Sequence, residues 1–287
     1  MRHFKEELAS LRALPRVEVH LHDYFIEIPF LLAIFTELQH WPGYAAFEYV
    51  FLSRQHPSEA VKAPHNARTI LIYTSNEDGY LPPLREQVGL CFTPDCRYWP
   101  LPSGVHMFPL GCNGNTPSVP WVDWPKRGLD LFFAGQVMPQ RGALLVELIQ
   151  LLFDLRSSAY QAQVTLTPRF QAGLSPEDYA KTLMNSRLAL VPAGVSPVTL
   201  RLFEAMRSGC VPLYQDLPDT WYFKDLPGLH LPLNGAGLSE QVFRLLSQPE
   251  QLERLHYRVR RHYQAHFTPQ AVAQYMIQVL NLHLKTL

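Results

Sequence analysis

Residues 186–216, SRLALVPAGVSPVTLRLFEAMRSGCVPLYQD, hold the side chains best suited to chemistry. An apolar run at 188–191 reads as a buried strand. It passes through a Pro192-Ala193-Gly194 turn to a helix start that carries Ser196, Pro197 and Thr199. The N-terminus of a helix leaves backbone N–H groups without intrahelical partners, and hydroxyls beside them complete an anion site suited to phosphate. Arg201, in the first turn, adds a fork of donors for a diphosphate. Glu204 follows on the same helix, where a carboxylate accepts two hydroxyl hydrogen bonds from a ribose. A plainer reading stands beside this one: Ser196 and Thr199 only cap the helix, and Glu204 pairs with Arg201 or Arg207.

The elements that must position these residues are regular beyond about residue 127. Strands are expected at 129–133, 162–167, 188–191 and 211–214. Helices are expected at 143–155, from Ser175-Pro176-Glu177-Asp178 to about 185, at 198–207, at 237–264 with a break near Pro249, and at 269–284. Ser175 is a good N-cap, Pro176 suits the first helical position, and two acids follow in the first turn. Gly209 sits where a left-handed C-cap would end the 198–207 helix. Strands alternating with helices imply a parallel sheet covered on both faces. In that architecture ligands lie at the carboxyl ends of the strands, which is where the 192–201 segment begins.

The first half is less regular and richer in proline. A strand at 17–21 ends at His22-Asp23, a helix follows at 29–38, and short strands are expected at 47–52, 69–74, 88–93 and 105–110. Residues 113–128, NGNTPSVPWVDWPKRG, read as a linker. The expected division is an amino-terminal domain 1–126, a carboxy-terminal domain 127–268, and a last helix, 269–285, that packs back on the first domain.

Composition narrows the function. Lys+Arg and Asp+Glu are 25 each, and the balance argues against a nucleic-acid binder. With 25 prolines in 287 residues, the chain is cut into short elements, which excludes a coiled coil. The four cysteines, Cys91, Cys96, Cys112 and Cys210, have no zinc-ligand spacing and are expected to be free thiols in a reducing compartment. The amino terminus has no apolar signal region. The longest apolar stretch, residues 25–35, carries Glu27 and is too short and polar to span a bilayer. The expectation is a soluble, cytoplasmic protein with at most peripheral membrane association.

The 186–216 run resembles the carboxy-terminal domain of exostosin-like glycosyltransferases. The matching residues are Leu190, Pro192, Gly194, Ser196, Thr199, Arg201, Glu204, Ala205, Gly209, Cys210, Val211, Pro212 and Asp216. A second match is Phe132-Phe133-Ala134-Gly135 with Arg141 after it. The likeness covers residues 129–285 well and the amino-terminal half only loosely. It implies a GT-B architecture, two Rossmann-like domains facing across a cleft, here with the amino-terminal one reduced. It also implies a metal-independent transfer from a nucleotide-sugar, usually of UDP, to a carbohydrate acceptor, with no other cofactor. Carried over by residue, Glu204 binds the ribose, and Gly135, Pro192, Gly194, Ser196, Thr199 and Arg201 surround the nucleotide and its diphosphate. Arg141 stabilises the leaving nucleoside diphosphate, since without a metal a cation must meet that charge. Solvated-loop arginine is the plainer reading of Arg141.

One position departs from the pattern of many retaining GT-B enzymes, which carry a Glu eight residues before the ribose-binding Glu; here it is Ser196. An inverting reaction is therefore expected, and it needs a base near the acceptor hydroxyl. The loops after two amino-terminal strands supply candidates, ranked Asp78, Glu77, Asp23 and His22; Asp95, after another strand, is a weaker candidate for lining the cleft. Each is otherwise a polar turn residue. Trp221-Tyr222-Phe223 could stack on sugar or complete a core. His256, His262 and His266 read as a solvated helix face. Two other functions fit the same features: a nucleotide-sugar epimerase of GT-B fold, and a binder that keeps the nucleotide site without catalysis.

Overall fold

The computed structural model describes residues 3–169 and 172–287. The chain divides into two compact units, Met1–Gly114 with His266–Leu287, and Asn115–Ala265. Each is built on a five-stranded parallel sheet.

In the first unit, β1 (Val17–His20), β2 (Glu48–Ser53), β3 (Thr69–Thr74), β4 (Leu90–Thr93) and β5 (Val105–Met107) lie in sequential order, with no reversal. β3 is buried along its whole length, as its unbroken run of apolar and β-branched residues requires in a sheet covered on both faces. On one face Tyr49, Phe51, Ile70, Ile72 and Phe92 pack beneath α1 (Lys5–Arg12), α2 (Ile28–Leu38) and α8 (Pro269–Leu284). α2 buries Ile28, Leu31, Ile34, Phe35 and Leu38, the spacing of one helical stripe. Each fully buried side chain of that size contributes about 1.5–3 kcal/mol. α8 packs on α2. On the other face Val50, Leu52, Leu71, Tyr73 and Cys91 form a smaller cluster under loops. α1 was not anticipated: its apolar residues are few, and what fixes it is burial of Leu8 and Leu11 on the sheet's helical face.

The second unit starts twelve residues before the expected boundary of 126/127. The supposed linker folds onto it. Thr116 bonds to Glu204, Arg127 is fully buried, and Trp121 and Trp124 pack against His256. Here β6 (Leu129–Gln136), β7 (Ala162–Thr167), β8 (Ser186–Val191), β9 (Val211–Tyr214) and β10 (Leu229–His230) take the order β10-β9-β8-β6-β7. The chain runs outward from β6 to β7, then returns past β6 to β8, so the order reverses between β6 and β8. α3 (Gly142–Arg156), α4 (Pro176–Met184) and α5 (Leu200–Arg207) connect β6 to β9 in turn, and α6 (Leu238–Leu246) and α7 (Pro249–His266) follow β10. Ser175 caps α4 by accepting from the Asp178 N–H. Gly209 adopts φ +73° after α5, and a Cβ there would lie 2.6 Å from the His256 ring.

His256 itself corrects the reading of a solvated face. It is fully buried, and its Nδ1 lies 2.6 Å from the Gly209 carbonyl oxygen. Tyr222 and Phe223 are buried as well, so they serve the core. Among the described residues no helix is long and apolar enough to cross a membrane.

Candidate nucleotide site

In an open α/β sheet the crevice for a ligand lies outside the strand carboxyl ends, where the strand order reverses. In the second unit that point is the gap between β6 and β8. β6 carries Gly135 next to its last residue, the loop after it delivers Arg141, and the loop after β8 delivers Pro192, Gly194, Ser196 and Thr199.

Arg141 is buried, which excludes a solvated loop residue. Its Nε donates to the Ala193 carbonyl at 2.7 Å and its Nη1 to that of Gln136 at 2.9 Å. The guanidinium therefore ties the end of β6 to the turn after β8. Arg201 reaches the same place from α5, donating from Nε to the Ala134 carbonyl at 3.0 Å. A Cβ on Gly135 would lie 2.8 Å from Nη2 of Arg201, so only glycine leaves that guanidinium its position. A Cβ on Gly194 would stand 3.4 Å from both Nη2 of Arg141 and Cγ2 of Thr199. Two arginines thus converge at the switch point, and neither is in an ion pair among the described residues. Burial, then the charge of Arg201, pushes the Arg141 pKa down to about 10. A pair of cations held together without a carboxylate is strongly favourable to an anion.

Gln215 braces the Pro192-Ala193-Gly194 turn: its Oε1 accepts from the Ala193 N–H at 2.9 Å, and its Nε2 donates to the Leu233 carbonyl at 2.7 Å. Thr199 occupies the N-cap of α5, yet its buried Oγ1 has no hydrogen-bond partner among the described residues. Ser196 Oγ accepts from the Val198 N–H at 3.1 Å. The plain capping role expected for Thr199 is therefore not the one it plays.

Glu204 is buried, and both carboxylate oxygens are engaged. Thr116 Oγ1 donates to Oε1 at 2.6 Å, and the Tyr179 hydroxyl donates to Oε2 at 2.9 Å. Burial and the Glu204 charge push the Tyr179 pKa well up, so that hydroxyl stays a donor. Glu204 pairs with neither Arg201 nor Arg207 among the described residues; it already receives two hydroxyls, which is the chemistry required for a ribose diol. Neither Thr116 nor Tyr179 had a sequence signal, because each reaches Glu204 from a distant segment.

The base candidates sit in the first unit at the carboxyl ends of its strands. Asp78 is ion-paired to Arg54 at 2.7 Å. Glu77 is exposed. Asp23 pairs with His3 at 2.9 Å, and that hydrogen bond holds its carboxyl below the usual range. His22 stacks on Tyr24 with centroids 5.0 Å apart. Asp95 is buried. Two acids were passed over. Glu27, before α2, has a buried Oε2 without a partner among the described residues, and burial, with smaller contributions from Glu77 and Asp95, pushes its pKa up to about 7. Glu18 lies on β1 beside His20.

A family model described as glycosyl transferase-like matches residues 141–278. Among solved structures, the chain is similar to the GtfA/B complex, with a TM-score of 0.54 and 14% identity over 90% of this chain and 60% of that one. It is also similar to a TarM mutant of S. aureus in complex with Fondaparinux, alpha-GlcNAc-glycerol and UDP, with a TM-score of 0.53 and 9% identity over 88% of this chain and 58% of that one. The chain has the GT-B glycosyltransferase fold. It spans about three fifths of the length of these two structures. No curated protein matches it in sequence. The family match begins at Arg141 and contains Ser196, Thr199, Arg201 and Glu204.

Proposed function

We propose that the protein is a glycosyltransferase that moves a sugar from a nucleoside diphosphate sugar to a carbohydrate acceptor, with inversion. The observation that carries this reading is the convergence of Arg141 and Arg201 at the β6/β8 switch point, with neither in an ion pair to a carboxylate among the described residues. A diphosphate supplies that neutralisation. As the bond to the anomeric carbon breaks, negative charge grows on the departing phosphate, and preorganised guanidinium groups stabilise it there.

The remaining roles follow from position. Gly135 and Gly194 keep side chains away from the diphosphate. The unpartnered Thr199 hydroxyl donates to it, with Ser196, Pro192 and the free N–H groups of α5 alongside. Glu204 takes the ribose, whose hydroxyls replace the one that Thr116 supplies. UDP is the nucleotide of choice in the exostosin-like family that the Arg201–Glu204 and Gly209–Pro212 pattern resembles, and a similar fold carries UDP in the TarM structure. We assign the chain to that family on this pattern. The reaction as read uses guanidinium groups where other transferases use a metal. A cytoplasmic site of action belongs to the same reading, supported by Cys91, Cys96 and Cys210, which are thiols.

Release of UDP from a panel of UDP-sugars, with sugar acceptors and with EDTA present, tests the proposal. Transfer that persists in EDTA supports it. UDP-sugars that bind and are returned as epimers would replace it with an epimerase, and binding without any turnover would leave a nucleotide-sugar binder.

A further inference from the structure

β3 and β4 lie side by side in the first unit, and the loops after them are tied to each other. The Arg97 N–H donates to the Gly79 carbonyl at 3.0 Å. Beside that bond, fully buried Asn76 donates from Nδ2 to the Asp95 carbonyl at 2.8 Å, and Thr93 Oγ1 donates to the same oxygen at 2.9 Å. Gly79 has φ +69°, and a Cβ there would stand 2.5 Å from the Arg97 nitrogen, so only glycine lets the loops close this far. Asp78, ion-paired to Arg54, accepts from the Tyr80 N–H at 3.3 Å.

The residues that leave this junction are aromatic. Tyr80 follows Gly79, and Tyr98 and Trp99 follow Arg97. They are 50%, 43% and 56% exposed. Five aromatic side chains are exposed among the described residues, and three of them stand here; the other two, Phe153 and Tyr257, are on helices of the second unit. Exposed apolar surface gathered in one place marks a binding surface, whereas single exposed rings do not. The Arg97 guanidinium lies over the Tyr80 ring, with Cζ 4.1 Å from its centroid, and fixes the ring from one side. Rings on braced loops lose little freedom on binding, which favours affinity.

Charge and shape select the ligand. Arg54 is paired with Asp78 and Arg85 with Glu86. Arg97 and Glu77, both exposed and in no ion pair among the described residues, are of opposite sign. A balanced surface attracts neither a nucleic acid nor an anionic lipid headgroup, since both need an excess of Lys and Arg. A pyranose is apolar on its C–H face and polar around its rim. Tyr and Trp rings offer an apolar body with a polar tip to match, and Arg97 and Glu77 supply a donor and an acceptor for the hydroxyls.

We propose that the loops after β3 and β4 form a binding site for a neutral glycan chain, stacked on Tyr80, Tyr98 and Trp99. The site lies within the first unit and needs no nucleotide, so it holds a sugar chain whether or not transfer takes place.

Calorimetric titration of cellohexaose, chitohexaose and a heparin-derived hexasaccharide into the intact chain, and into Trp99→Leu, Trp99→Phe and Tyr80→Ala, tests the site. Wild type is expected to bind a neutral hexasaccharide with an affinity that added salt leaves unchanged. Trp99 is the one tryptophan with an exposed side chain among the described residues, so the bound chain should shield indole emission from acrylamide. Trp99→Leu, apolar but without a ring, is expected to lose about tenfold or more in affinity and the shielding with it. Trp99→Phe should keep most of the affinity, and Tyr80→Ala should lose about tenfold. UDP affinity, which belongs to the second unit, should be the same in all four proteins. Failure of both neutral hexasaccharides to bind, or binding that Trp99→Leu and Tyr80→Ala leave unchanged, overturns the site. Equal losses in Trp99→Phe and Trp99→Leu reject stacking. Binding of the heparin fragment alone, weakening steeply with salt, rejects a neutral ligand.

Discussion

Thr116 Oγ1 donates to Glu204 Oε1 at 2.6 Å, joining the first residues of the second unit to the middle of α5. Thr116→Val removes the donor and leaves a buried carboxylate oxygen short of a partner, a loss of about 1–3 kcal/mol. The variant should melt earlier than wild type. If a ribose hydroxyl takes that oxygen, UDP should raise the melting temperature of Thr116→Val more than that of wild type. Equal shifts would mean that the ribose does not reach Oε1.

Gly135 and Arg201 exclude any side chain between them, since a Cβ would meet Nη2 at 2.8 Å. Gly135→Ala should push the guanidinium aside and weaken UDP binding about tenfold or more, near the lower range for a hydrogen bond to a charged group. Circular dichroism should be unchanged. Uridine, which has no diphosphate, should bind the variant and wild type equally, and a parallel loss for uridine would speak against the placement.

His256 makes stability depend on pH. Burial, first of all, holds its pKa down to about 4 from the ordinary 6.5. The folded chain keeps the ring neutral while the unfolded chain protonates it below pH 6.5. The full contribution to stability is thus present above pH 6.5 and is lost as pH falls toward 4, with a slope of up to about 1.4 kcal/mol per pH unit. His256→Gln should flatten the decline in denaturant midpoint over that window. An identical slope in the variant would assign the acid sensitivity to other groups.

Much of the second unit was legible because its signals are local. The apolar runs at β6, β8 and β9, the Ser175-Pro176 start of α4 and the Gly209 stop after α5 each sit within a few residues of the feature that they determine. The residues of the proposed nucleotide site lie in the same short segments, so Arg141, Arg201 and Gly135 could be read together. The partners of Glu204 were not, because Thr116 and Tyr179 are 88 and 25 residues away and their hydroxyls carry no pattern. The domain boundary was misread for a related reason: a Pro-rich stretch suggests a linker, while Trp121, Trp124 and Arg127 make it part of the core. In the first unit, the base candidates were chosen for lying in loops after strands. Glu18 was passed over because it lies on a strand, and only the backbone N–H groups of Lys62 and Ala63 show what engages it.

The central claim is that Arg141 and Arg201 form a diphosphate site. Calorimetric titration of UDP and of uridine into wild type, Arg141→Lys and Arg201→Ala tests it most directly. UDP should bind wild type far more tightly than uridine does. Arg201→Ala should lose about 10–100-fold in UDP affinity, the range for hydrogen bonds to a charged group, and Arg141→Lys, which keeps the charge without the fork, somewhat less. Both should leave uridine binding unchanged. UDP affinity that is indifferent to both substitutions would contradict the account.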